Sequence, residues 1–238
     1  HEGRDSMTPA GRARQRKIIL AQSLDELGLR TLASRVANCW KALYPPAQYP
    51  KYLPCSFRLC PTTIDILGRK RARRFMPLAY GMSKPCFLTL TSERRQSLRR
   101  DSALHFRAAL SKFLSVLKKE RGLDSGVYAI EAKHGQLTGW FLHAHLILDL
   151  PYAPKRVLSG IWRKHSGFGI VYINRCDWSE GHGSQKSIRR SVNYLLKEPQ
   201  LDLSNPSAVG AYMTALKGVR LFGSFGFPRA PRRCGPEL

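Results

Sequence analysis

The chain has 238 residues, 43% of them hydrophobic, which is enough to bury a full core in one main domain with appendages. Lys and Arg number 40 against 16 Asp and Glu, a formal charge of +24 whose field favours a polyanion, nucleic acid being the usual one. No apolar stretch approaches the roughly 18 residues needed to span a bilayer and no secretory signal is visible, so no membrane partner is expected and the six cysteines read as reduced cytoplasmic thiols or metal ligands.

In chain order, Ser23-Leu-Asp-Glu offers a helix start, and Leu27 to Ala37 recur at near-helical spacing up to about Leu43, where Pro45-Pro46 breaks the chain. Cys55-Ser-Phe-Arg-Leu-Cys60-Pro follows, then the run Arg69–Arg74, a solvated face also suited to phosphate. Residues 86–91 alternate as a strand, and Ser102 to Arg121 carries a helical apolar stripe stopped by Gly122. Residues 126–131 form a second strand, and Gly135 and Gly139 turn the chain into a third, 140–150. Lys155 to Lys164 reads as helix, 170–173 as strand, 187 to about 197 as helix, 206–217 as helix and 219–222 as a short strand. This order predicts an α+β domain, a five-stranded antiparallel sheet with helices packed on it. The expected divisions are a basic helical region over 1–75 with the cysteine segment, a main domain over 76–228 and a basic tail over 229–238.

The third strand carries the chemistry. Side chains at i and i+2 share a face, so His143, His145, Ile147 and Asp149 face one way and Leu142, Ala144, Leu146, Leu148 and Leu150 the other. The apolar side must press on a core, leaving the histidine face open. Pairing around a turn centred near residue 137 sets Glu131 opposite His143. One carboxylate and two neutral imidazoles suit a divalent ion such as Mg²⁺ or Mn²⁺ with positions left for a phosphate. A register slip of one residue would instead turn Glu131 to the core. His134, in the turn, reads as a surface residue, with a weaker part as substitute ligand the alternative. A nucleophile is offered by the helix over 187–198, where Tyr194, Lys197 and Glu198 stand at i, i+3 and i+4 and so project from one face. Beside a cation and a polarised phosphate, with a carboxylate to accept its proton, a phenol can attack.

The order Phe87-Leu-Thr-Leu-Thr91, His143-Ala-His145 and Tyr194-Leu-Leu-Lys197 resembles the three-motif layout of HUH-superfamily nucleases, above all the single-tyrosine rolling-circle replication initiators of plasmids. Leu216 to Gly226 and the block Cys39 … Cys55–Pro61 also look like recurring parts of those proteins, so the resemblance covers about residues 35–227. It implies a bacterial, cytoplasmic, metal-dependent enzyme on an RRM-like palm. That enzyme nicks and joins single-stranded or hairpin origin DNA through a 5′-phosphotyrosine. Tyr194 would attack, His143, His145 and Glu131 would hold the ion, and Lys197 would orient phosphate or ion. Thr89 and Thr91 would support the sheet or touch DNA, as would Arg189 and Arg190. Two departures stand out. Related proteins often carry a glutamate one turn before the tyrosine, where this chain has Arg190, so Glu198 is the expected substitute. The cysteine block continues Cys60-Pro61-Thr62-Thr63, and Cys39, Cys55 and Cys60 fall one short of the four ligands structural zinc usually takes. A decayed site or packed loop is the leading reading there, with zinc the lesser alternative.

No phosphate-binding Gly-x-x-x-x-Gly-Lys-[Ser/Thr] is present, so unwinding would fall to a host helicase, with a host polymerase extending the freed end. A transposase or relaxase would use the same chemistry. A non-catalytic replication factor would instead stack single strands on aromatics such as Phe222, Phe225 and Phe227.

Overall fold

The computed structural model describes residues 8–39, 55–135, 139–175 and 182–227. Five strands, β1 (Pro85–Thr91), β2 (Gly126–Gly135), β3 (Gly139–Asp149), β4 (Val171–Arg175) and β5 (Phe222–Phe225), form one sheet in the order β4-β1-β3-β2-β5. Every neighbouring pair is antiparallel. The helices are α1 (Pro9–Glu26), α2 (Arg30–Ala37), α3 (Pro61–Tyr80), α4 (Arg100–Arg121), α5 (Lys155–Ser166), α6 (His182–Leu195) and α7 (Pro206–Leu216). The fold is therefore α+β, as its element order predicts. No helix among the described residues is long and apolar enough to cross a membrane.

The main core lies on the apolar face of β3. Leu142, Ala144, Leu146 and Leu148 are buried there against Phe106, Leu110, Phe113 and Leu117 of α4 and Leu158 and Trp162 of α5. Each large apolar side chain removed from water contributes about 1.5–3 kcal/mol. The rings of Phe106 and Phe113 meet Trp162 edge-on, and Trp162 Nε1 donates to Thr91 O at 3.0 Å, tying this core to the strand beside the histidines. Helix α4 ends where Gly122 adopts φ +65°, and Leu123 N–H returns to Leu117 O, a closure that favours glycine.

The opposite face is not open. Ile147, Val127 and Ala129 are covered by Phe75 and Ala79 of α3 and by Ile188, Val192 and Leu195 of α6, which form a second, smaller core. Asp149 is also engaged there, accepting from Ser83 N and Lys84 N at 2.9 and 2.7 Å. The apolar residues at 127, 129 and 147 thus separate the polar part of this face around Glu131, His143 and His145 from Asp149 at its far end.

Several boundaries differ from the sequence expectation. The first helix begins at Pro9, with Thr8 as its cap, and Ser23 lies inside it, donating to Leu203 O at 2.6 Å instead of capping. Residues 61–80, where the sequence marked only the charge run 69–74 as a solvated face, form α3, started by Pro61 in the first turn. The division after residue 75 therefore falls inside a helix, and Leu20, Leu24, Val36, Leu59 and Cys60 join the main core. The last strand lies at 222–225, not 219–222. The tail over 229–238 lies outside the described residues.

Candidate metal and nucleophile site

The pairing of β2 with β3 sets Glu131 opposite His143 and Gly135 opposite Gly139, the register expected from a turn centred at 137; residues 136–138 themselves lie outside the described residues. On the other side of β3, β1 sets Thr89 opposite His145 and Thr91 opposite His143. Both threonine hydroxyls reach the imidazoles: Thr89 Oγ1 lies 3.0 Å from His145 Nδ1, and Thr91 Oγ1 3.0 Å from His143 Nδ1. The threonines thus act on the histidines themselves, fixing ring orientation and leaving both Nε2 atoms for another partner.

His145 Nε2 meets Glu131 Oε2 at 3.2 Å. A carboxylate only accepts, so this nitrogen carries the proton and the Thr89 hydroxyl donates to Nδ1. Lys133 and Lys197 bring their ammonium groups to 3.8 and 3.7 Å from the same carboxylate oxygen. Sequence reasoning missed Lys133, although it shares the face of Glu131 by the i, i+2 rule. Burial, then the nearby Lys133 cation, holds His143 down to about 3, and burial likewise lowers His145, so both rings are neutral. Burial by itself would raise Glu131, but the His145 hydrogen bond and the two lysines outweigh it and hold the carboxyl below its ordinary value.

Two acceptor atoms in this cluster are buried without a hydrogen-bond partner, Glu131 Oε1 and His143 Nε2. No protein donor reaches either atom, but the ligand atoms of Glu131, His143 and His145 do not all come within 4.8 Å of one another, so the two histidines and the carboxylate do not form a closed three-ligand set here. The rings of His143 and His145 lie parallel with centroids 5.7 Å apart.

Tyr194, in the last turn of α6, is 45% exposed and lies edge-on to His145, its ring centroid 4.9 Å away. Phe87 packs edge-on to it at 5.7 Å, and Lys197 Nζ sits 3.9 Å over its ring. Tyrosine, lysine, both histidines and Glu131 therefore gather in one place. Glu198 does not join them. Helix α6 ends at Leu195, so Lys197 and Glu198 lie beyond the helical i, i+3, i+4 geometry, and Glu198 pairs with Arg16 of α1. Arg189 and Arg190 are exposed on α6.

The three cysteines also converge. Cys39, Cys55 and Cys60 place their sulfurs within 4.8 Å of one another, the one group of three or more such ligands this tight among the described residues. This cluster can hold a metal ion. Thr63, where a fourth thiol would be sought, sets its hydroxyl 3.3 Å from Cys55 Sγ and 4.0 Å from Cys39 Sγ. Cys55 N–H points at Cys39 Sγ at 3.5 Å. The hydrogen bond with Cys60 pulls Cys55 down, and the same bond, with burial, pushes Cys60 up.

Comparison with protein-family models, with curated proteins and with solved structures finds no match for this chain.

Proposed function

We propose that the chain is a metal-dependent, single-strand DNA nicking and joining enzyme of the HUH type, serving as an initiator of rolling-circle replication. The observation that carries this reading is the placement of the exposed Tyr194 ring against His145, beside the orphaned His143 Nε2 and Glu131 Oε1. A structural tyrosine would account for the ring contacts but not for the unpartnered buried acceptors next to them.

In this reading His143, His145 and Glu131 hold a divalent ion such as Mg²⁺ or Mn²⁺, which when bound polarises the scissile phosphate and offsets its developing charge. Moving the His145 proton from Nε2 to Nδ1 frees a second nitrogen, and the Thr89 hydroxyl then accepts where it had donated. Tyr194 Oη forms a bond to phosphorus while the bond from phosphorus to the 3′ oxygen breaks. The phenolic proton passes to solvent, which reaches this exposed side chain. The leaving oxygen takes up a proton, giving a 3′-hydroxyl that can prime a polymerase. Lys197 supplies positive charge at the attacked phosphate. The +24 charge supplies the general attraction for the strand. Zinc is the ion assigned to the cysteine cluster, where thiolates favour it over a harder cation.

The test incubates the protein with labelled random single-stranded DNA and Mn²⁺, with and without EDTA, beside Tyr194→Phe. A covalent adduct on a denaturing gel, lost in EDTA and in the variant, is expected. Tight, salt-sensitive binding with no adduct from a pool containing cleavable sites would point to a binding factor instead.

A further inference from the structure

Beside the site lies a cavity of about 360 Å³ bounded by α3, the β5 edge and the segment after α6. It shares Glu131, His145 and Lys197 with the site, and four arginines, Arg58, Arg71, Arg74 and Arg220, line it. None of the four has an acidic partner among the described residues. Arg58 donates to Leu216 O at 3.0 Å, Arg74 to Ser224 Oγ at 3.2 Å and Arg220 to Phe222 O at 3.2 Å. Arg71 lies half-buried with its guanidinium 3.8 Å over the Phe222 ring. Burial, then repulsion from Arg58, lowers Arg71 from its ordinary value. The one carboxylate in the lining, Glu131, is already paired with Lys133 and Lys197; like charges gathered round a cavity with no acid left to balance them are costly to hold, and a bound anion removes that cost. Leu67, Phe75, Ile130 and Leu221 form an apolar stretch of the remaining wall, beside Thr63 and Tyr212. A cavity of this volume suits one small ligand with an anionic group and a flat apolar part.

We infer that this cavity takes the phosphate and base of one nucleotide of the single strand, adjacent to the phosphate that Tyr194 attacks. The phosphate sits on the arginines and the base lies along the apolar wall. Arginine suits this place because its fork matches phosphate oxygens in pairs. The position next to the reacting phosphate rests on the nuclease reading above; the nucleotide subsite itself does not. The shared residues place the occupant within a nucleotide or so of the tyrosine. A subsite there would set which base flanks the cut, so it also acts on specificity.

The test measures binding of a fluorescent random single strand by anisotropy in EDTA, where no cleavage occurs. Arg71→Ala and Arg220→Ala are compared with Lys119→Ala on the far helix α4, and each fold is checked by circular dichroism. Arg220 is exposed and makes one hydrogen bond, so its removal leaves the fold intact. Both arginine variants should bind about tenfold more weakly, the loss of a charge-assisted contact, and Lys119→Ala should stay within about twofold. Thymidine monophosphate should displace the strand at lower concentration than inorganic phosphate at equal ionic strength. Unchanged affinity in Arg220→Ala, or equal displacement by both anions, overturns the inference. Because the assay needs neither metal nor Tyr194, loss of affinity here with no adduct in the Mn²⁺ reaction on a pool containing cleavable sites would refute the nuclease reading and leave the subsite standing. An adduct with normal binding in both arginine variants would do the reverse.

Discussion

Thr91→Val tests whether the strand beside the histidines prepares them for a metal. Valine matches threonine in shape and suits a strand, so packing changes little. What is lost is the hydroxyl 3.0 Å from His143 Nδ1. His143 is neutral, and its Nε2 is buried with no partner, so its one N–H is best placed at Nδ1, donating to Thr91. In the variant that proton has no acceptor in either tautomer. An orphaned buried donor costs about 1–3 kcal/mol, and partial exposure of the ring puts the expected value near the lower end. The second effect is on the ion. Removing the hydrogen bond behind a metal-ligating imidazole weakens binding about 10–100-fold, or about 1.4–2.7 kcal/mol. Urea unfolding in EDTA reads the first quantity, and a Mn²⁺ titration followed by electron paramagnetic resonance reads the second. Mn²⁺ affinity within about twofold of the parent protein would refute the reasoning, whatever the stability change.

Glu198→Ala should leave adduct formation unchanged and cost at most about 1 kcal/mol, because Glu198 only pairs with Arg16 in a solvent-accessible position; collapse of the adduct in a single-turnover assay would return it to the site. Trp162→Ala should destabilise by about 3–5 kcal/mol in urea, because the side chain is fully buried between Phe106 and Phe113 and also holds Thr91 O; a loss below about 1 kcal/mol would contradict this packing. The protein should purify with about one zinc per chain by elemental analysis, and Cys55→Ser should lose most of it; zinc absent from the parent protein would refute zinc at the cysteines.

The hairpin was legible because two simple symmetries coincide there. Alternation along residues 140–150 fixes the faces, and the glycines at 135 and 139 fix the turn, so Glu131 falls opposite His143 without any tertiary knowledge. The cover on the histidine face was legible in principle, since Ile147, Val127 and Ala129 are apolar on the side taken to be open. Helix α3 was obscured because its arginines spread round the helix, with Arg69 paired to Asp65 while Arg71 and Arg74 turn to the cavity. Ser23 looked like a cap because its hydroxyl needs a partner, and the structure supplies one at Leu203, far along the chain. Glu198 illustrates the same limit: the i, i+4 rule holds only while the helix continues, and α6 stops at Leu195. The gathering of Cys39, Cys55 and Cys60 depends on the chain just after α2 meeting the start of α3, which spacing alone does not encode.

The most direct test of the central claim is to map the covalent bond. Trypsin cleaves after Arg190 and Lys197, releasing Ser191–Lys197 with Tyr194 as its sole tyrosine. After reaction with single-stranded DNA and Mn²⁺, nuclease trimming and mass spectrometry, this peptide should carry a nucleotide through a phosphotyrosine bond. A nucleotide on any other peptide, or an unmodified Ser191–Lys197 in protein that has cut its DNA, would contradict the account.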